Sequence, residues 1–245
     1  MARNRDLPRL RRLLLQASCL LLLGFGCLAH GDQLPDPEDP SLEAGERVRA
    51  LLERIRIEQA QLETLSASFT QRKEGKLLLE PEVSTGNFWY RAPDRVRWDF
   101  DEPDRTRIVV NEGQMVTWHL DLKKAEVLEV GNKADRVMQL LSASNSVGTL
   151  QRYFDVTAAF PGNVEAPYRL DLDPRSRRLK KRIRSMTIHL HRTGFYPVYI
   201  EYVEPDGDTT ELTFTDSEKN SALEDSIFTV DLPAEVEVST VELGS

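Results

Sequence analysis

Apolar and polar positions alternate with a period of two through residues 77–120, and turn residues interrupt the alternation at short intervals. The stretch reads as four strands in a row. Gly86 enters the first, Ala92-Pro93-Asp94 leads to the second, Glu102-Pro103-Asp104 to the third and Asn111-Glu112-Gly113 to the fourth. Phe88 and Tyr90 share one face of their strand. Val96, Trp98 and Phe100 share one face of the next, while Arg95, Arg97, Asp99 and Asp101 take the other. An antiparallel meander with one apolar face must bury that face on something, and what covers it decides the function.

Upstream the period is helical. Val48, Leu51, Leu52, Ile55 and Leu62 recur at three- and four-residue spacing, predicting an amphipathic helix over 42–63 with Ser41 as its cap. At Leu65 the period changes to two: Leu65, Ala67 and Phe69 alternate with Ser66, Ser68 and Thr70, which predicts a strand. After the meander come a short strand over 126–130 and a helical insert over 133–152. Ala134, Val137, Met138 and Leu141 form the insert's stripe, 142–148 breaks it, and Val147 and Leu150 sit in a second short turn. Strands follow over 153–158, 168–173, 179–191, 196–204 and 209–215. Then come a helical turn at 225–228 and an extended piece at 229–232. Without βαβ alternation, no parallel sheet is expected.

The first 31 residues change the picture. A basic segment (1–12), an apolar run (13–29) and the small-residue positions of Ala29-His30-Gly31 predict a signal peptide, with Asp32 as the first mature residue; a short membrane anchor is the bland alternative. Residues 32–42, rich in Pro and Asp, predict a flexible linker. The formal net charge of −8 includes five Arg and one Asp of the leader. The remainder therefore carries 27 basic and 39 acidic residues, a net −12, which argues against nucleic-acid binding. Both cysteines, Cys19 and Cys27, lie in the leader, so an exported chain would hold together without disulfides. Cys27 follows a small residue, which makes lipid anchoring there an alternative. Gly24, however, stands where such sites usually carry Leu.

Candidate chemistry is sparse. No G-x-S-x-G, H-E-x-x-H, P-loop or C-x-x-C string is present, and neither an enzyme nor a cofactor or metal is expected. His189 and His191 share a strand face, as metal ligands would, but no third ligand is visible and the polar face of a strand is the plainer reading. A hydrolase with carboxylates brought together in space from around 99–104 is a further alternative. The run 175–184 holds seven basic residues: Arg175, Arg177, Arg178, Lys180, Lys181, Arg182 and Arg184. It is either a solvated hairpin or a patch for anionic headgroups or an acidic partner. The apolar face of the meander is either plain core under the two helical segments or, incompletely covered, the lining of a cavity.

Four strings in order resemble the periplasmic lipoprotein carrier family LolA: 62–71 (LETLSASFTQ), 86–103 (GNFWYRAPDRVRWDFDEP), 111–121 (NEGQMVTWHLD) and 226–238 (SIFTVDLPAEVEV). The resemblance spans about 43–240, which it marks as one lipid- or lipoprotein-binding domain. It implies an α+β, mainly antiparallel fold: an incomplete (half) β-barrel of about ten or eleven strands. The N-terminal helix and the helical insert would form a lid over a hydrophobic cavity. Phe69, Phe88, Tyr90, Val96, Trp98, Phe100, Val116, Trp118, Met138 and Leu141 would line it. It also implies a monomeric periplasmic carrier in transient contact with membranes. Such a carrier takes acylated lipoprotein or lipid cargo from an inner-membrane release complex to an outer-membrane acceptor. A (glyco)lipid-binding or lipid-sensing regulatory module on the same fold is the alternative. Well-studied members place an Arg directly before the turn proline, where it helps hold the lid closed. Here Ala92 stands there and Arg91 lies one residue earlier, on the opposite face of the strand, so the gating role does not transfer to Arg91.

Overall fold

The period-two stretches become the strands of one sheet in the computed structural model, which describes residues 34–129, 147–163 and 165–241. The leader and the first part of the insert, with the expected cavity residues Met138 and Leu141, lie outside the described residues. The sheet and its helices belong to the unit that begins at Pro35.

The strands are β1 (Thr64–Glu74), β2 (Glu82–Arg91), β3 (Arg95–Glu102), β4 (Thr106–Asn111), β5 (Gln114–His119), β6 (Lys124–Glu129), β7 (Phe154–Ala159), β8 (Tyr168–Pro174), β9 (Ser185–Leu190), β10 (Pro197–Val203), β11 (Thr209–Lys219) and β12 (Glu237–Val241). They form a single open sheet in the order β12-β6-β5-β4-β3-β2-β1-β11-β10-β9-β8-β7. All pairs are antiparallel except β12 with β6. Among the described residues the open, mainly antiparallel sheet is as expected, with twelve strands against about ten or eleven and one parallel pair that was not expected. The last strand lies at Glu237–Val241 rather than at 229–232, because the chain first makes a 3-10 turn at Asp225–Phe228 and crosses the sheet before pairing.

Helix α1 runs over Ala44–Ala60. Its N-cap is Glu43, whose N–H donates to the Glu46 carboxylate at 3.1 Å. Ser41, expected as the cap, instead turns its hydroxyl to Asp39 at 2.7 Å. The stretch expected as a flexible linker is pinned from Pro37 onward. Arg47 donates to the Pro37 carbonyl at 3.0 Å, and Glu38 pairs with Arg47 at 3.1 Å and with Arg192 at 3.0 Å. Burial, followed by the nearby Glu38 carboxylate, pushes the Tyr168 hydroxyl up to about 12. The expected long strand 179–191 is split. Ser176 accepts the Leu179 N–H at 3.1 Å and caps a short helical turn, α3 (Arg177–Lys180), so β9 starts only at Ser185. The remaining helix is α2 (Val147–Tyr153).

Register sets the two faces of the sheet. Phe69 pairs with Gly86 and Phe214, Phe88 with Trp98, Trp98 with Ile108, and Val110 with Met115. On the other side Ile200 pairs with Leu212 and Ile188, and Ile188 with Leu170. Side chains directly opposite one another share a face, so one apolar surface runs from β7 to β5. This is the inner face. Helix α1 lays Leu51, Leu52 and Ile55 against its β7–β10 half, together with Leu150 of α2, Leu170, Leu172, Ile188 and Leu190.

Candidate functional site

The other half of the inner face, on β1–β5 and β11, is aromatic. Phe69, Phe88, Tyr90, Val96, Trp98, Val110 and Phe214 form one buried cluster, with Phe100, Ile108 and Met115 half-buried at its margin. Phe69 meets Trp98 at 4.9 Å and Phe100 at 5.0 Å edge to face, and Phe88 lies at a tilt on Trp98 at 4.6 Å between centroids. No residue of α1 belongs to this cluster; Leu62, just beyond the helix, closes one corner of it. Gly86, expected to lead into β2, lies inside that strand opposite Phe69 and Phe100, at a shift in register between Thr85 and Gly86. A side chain there would collide with the Asp99 carbonyl oxygen and the Phe69 ring.

Of the expected lining residues, the structure brings Phe69, Phe88, Tyr90, Val96, Trp98 and Phe100 together. Val116 and Trp118 belong elsewhere. Val116 pairs with Val109, and Trp118 with Arg107 and Ala125, on the outer face. The two-residue turn Glu112-Gly113, both with positive φ, sets Asn111 opposite Gln114 and so turns Met115 and Thr117 inward. Ile108, Val110, Met115 and Phe214 are inner-face residues that sequence reasoning missed; for Met115 the length of the Glu112-Gly113 turn was the signal.

Trp98 carries a polar atom within this apolar surface. Its indole N–H is buried and has no hydrogen-bond partner among the described residues. A buried donor left unpaired is costly unless something arrives to accept it.

The outer face of the same strands is polar and tied down. Asp99 accepts from Arg97 at 2.7 and 2.5 Å and from Arg107 at 3.0 Å through each oxygen. Burial alone would raise the Asp99 carboxyl, but hydrogen bonds and charge from the two guanidiniums outweigh it and hold it below the usual range. A group held low in this way stabilises the fold above its ordinary value of 3.8, and that stability is lost as pH falls through the folded value. Stability measured by urea unfolding is therefore expected to fall as pH drops below about 4. Asp99→Ala, which leaves two half-buried guanidiniums facing each other, is expected to cost about 2–4 kcal/mol at pH 7. A cost under about 0.5 kcal/mol would mean that the pair network is merely superficial.

The C-terminal segment crosses this outer face. Arg97 donates to the Ile227 carbonyl at 2.9 Å and Asn111 to the Phe228 carbonyl at 3.2 Å, with Phe228 fully buried. Arg91 binds Asp225 and the Leu223 carbonyl and lies 5.3 Å from the Phe228 ring centroid. Arg91 thus fastens the chain end to the outer face. His189 lies at a tilt on Tyr199, whereas His191 accepts the Gly194 N–H and stacks on Tyr196; among the described residues no three side chains of metal-ligating type group together. The basic run 175–184 occupies the β8–β9 connection, where Arg175 pairs with Asp155.

A family model described as outer membrane lipoprotein carrier protein LolA matches residues 60–231. The outer-membrane lipoprotein carrier protein of Pseudomonas putida (strain GB-1) is 25% identical over 180 residues, 72% of this chain and 81% of that protein. The protein of the same name from Alkalilimnicola ehrlichii is 31% identical over 104 residues, 41% of this chain and 47% of that protein. Among solved structures, an uncharacterized conserved protein from Thermus thermophilus superposes with a TM-score of 0.50 at 10% identity, over 79% of this chain and 99% of that one; this likeness is one of fold.

Proposed function

This chain belongs to the LolA family of outer membrane lipoprotein carriers, and from that premise we propose that it is an exported, non-enzymatic carrier of acylated cargo. In this reading residues 1–31 direct export to the periplasm. There the protein takes acyl chains from an inner-membrane release complex, shields them against the inner face of the sheet and yields them to an outer-membrane acceptor.

The observation that supports this most is the division of the inner face. Helix α1 packs on the β7–β10 half, and the aromatic half on β1–β5 carries its own separate cluster. A second apolar surface on the same face of the sheet suits chains with no polar groups to recognise. Each enclosed methylene contributes about 0.8 kcal/mol, so a sixteen-carbon chain gains on the order of 12 kcal/mol. Escape into water would then be very slow. Cargo must pass directly to a competing apolar site, with the carrier needing only a small free-energy change to open. The Trp98 N–H offers one polar contact, fitted to an ester or amide carbonyl at the head of the acyl chain.

Titration with a dipalmitoylated cysteinyl peptide tests the reading. Saturable one-to-one binding by the full chain is expected. Trp98→Phe removes the unpaired donor and is expected to weaken the peptide about 3- to 10-fold while leaving thermal stability equal or higher. No binding by the wild type would contradict the carrier. Unchanged affinity in Trp98→Phe would contradict the role given to the indole.

A further inference from the structure

One end of the strands gathers most of the exposed apolar residues together with the basic run. At this end β1 turns into β2 through 75–81, and Leu77 and Leu79 stand 96% and 104% exposed at the tip, with Leu78 at 41%. Glu74 at the end of β1 pairs with Thr209 at the start of β11, so the β10–β11 turn lies beside the hairpin. The Arg184 N–H donates to Val203 at the end of β10, which brings the β8–β9 connection with its basic run to the same end. The pairing of Phe154 with Pro174 places exposed Tyr153 there too, and that of His119 with Thr106 places exposed Leu122 there. Adjacent strands lie about 4.8 Å apart, so the leucine tip and the basic turn are separated by about 20 Å along the sheet.

We propose that this end of the sheet is a membrane-docking edge: the leucine hairpin enters the bilayer while the basic run 175–184 rests on anionic headgroups. Leu77, Leu78 and Leu79 are all exposed on the short connection 75–81, a protruding tip rather than a broad apolar face. A fluid apolar medium accepts them from any side. The tip is held in place, because the Lys76 N–H donates to Asp208 at 3.1 Å and Leu78 closes a turn on Gly75. The acidic side chains at this end are in part engaged: Asp208 braces the hairpin, the Asp206 carboxylate accepts the Asp208 N–H, and Asp121 pairs with Arg105. In a chain whose remainder beyond residue 31 carries a net −12, ten residues with seven cations and no anion give the β8–β9 connection its own polarity.

The proposal does not rest on the carrier reading, because docking needs no cargo. It is tested by co-sedimentation of the full chain, expressed with its leader and recovered from the soluble fraction, with vesicles of phosphatidylethanolamine and phosphatidylglycerol. Binding is expected, at least tenfold weaker for L77S/L78S/L79S and also weaker for R177E/R178E/K180E/K181E. In 1 M salt, where the Debye length is about 3 Å, the contribution of the cations should vanish and that of the leucines remain. All substituted side chains project from the surface, so thermal melts of the variants should match the wild type. Failure of the wild type to bind, or equal binding by the leucine variant, would overturn the proposal. So would recovery of position 79 cross-linked only to protein in whole cells.

Discussion

Gly86→Ala is expected to leave little or no folded protein. The residue sits within β2 at the shift in register, with Phe69 opposite on one side and Phe100 on the other. A Cβ there would lie 2.8 Å from the Phe69 Cζ and well inside contact distance of the Asp99 carbonyl oxygen. The Phe69 ring is held by Trp98 and Phe100, and the carbonyl is backbone of β3 on a strand whose Asp99 side chain is clamped by two arginines. Neither can yield without parting β2 from β3. Overpacking of a well-filled site costs about 1–3 kcal/mol, and a clash with backbone more, against a total stability of about 5–15 kcal/mol. Soluble yield and urea unfolding check this. A variant melting within about 2 °C of the wild type would show that the two strands separate there more easily than their register implies.

Phe88→Ala carries the second large effect, about 3–5 kcal/mol. Phe88 is 0% exposed, stacks at a tilt on Trp98 and meets Phe214 at 6.1 Å, so it joins β2, β3 and β11 across the middle of the sheet. Its removal leaves a hole that three flanking strands cannot close without moving. Denaturant titration reads the loss directly. A loss below about 1 kcal/mol would mean that the aromatic half is loosely packed and contributes little to the fold. The size of this effect also separates two roles on one surface. Phe88 and Val96 are the floor, whose substitution threatens folding, whereas half-buried Phe100, Ile108 and Met115 form the margin, which the proposed cargo would meet first.

Most of this architecture was legible in the sequence. Period-two spacing placed Phe88, Tyr90, Val96, Trp98 and Phe100 on one face, and helical spacing picked out the buried side of α1, because in each case one face carried most of the apolar residues. It failed where both faces were apolar. Strand β5 carries Met115 inward and Val116 and Trp118 outward, so periodicity could not choose, although the length of the Glu112-Gly113 turn could have. The Pro- and Asp-rich stretch before α1 looked like a linker by composition. Its order comes from Arg47 and Arg192, and Arg192 lies far off in sequence. Arg91 likewise found its role through Asp225 and Leu223, partners more than a hundred residues away. Contacts of that range leave no local trace in a chain.

The central claim, that the aromatic half of the inner face shelters acyl chains, is most directly tested by native mass spectrometry with lipid extraction. The full chain would be expressed with its leader, recovered from the soluble fraction, and compared with the same chain synthesised without membranes. The account predicts acyl lipid or lipoprotein bound at one copy per chain in the first preparation, and none in the second until a diacylated peptide is added. It also predicts that Met115→Glu, a charge at the margin of the cluster, weakens that binding at least tenfold while the protein remains folded. A protein empty in both preparations that takes up no added acylated peptide would contradict the claim and leave the aromatic face as ordinary core.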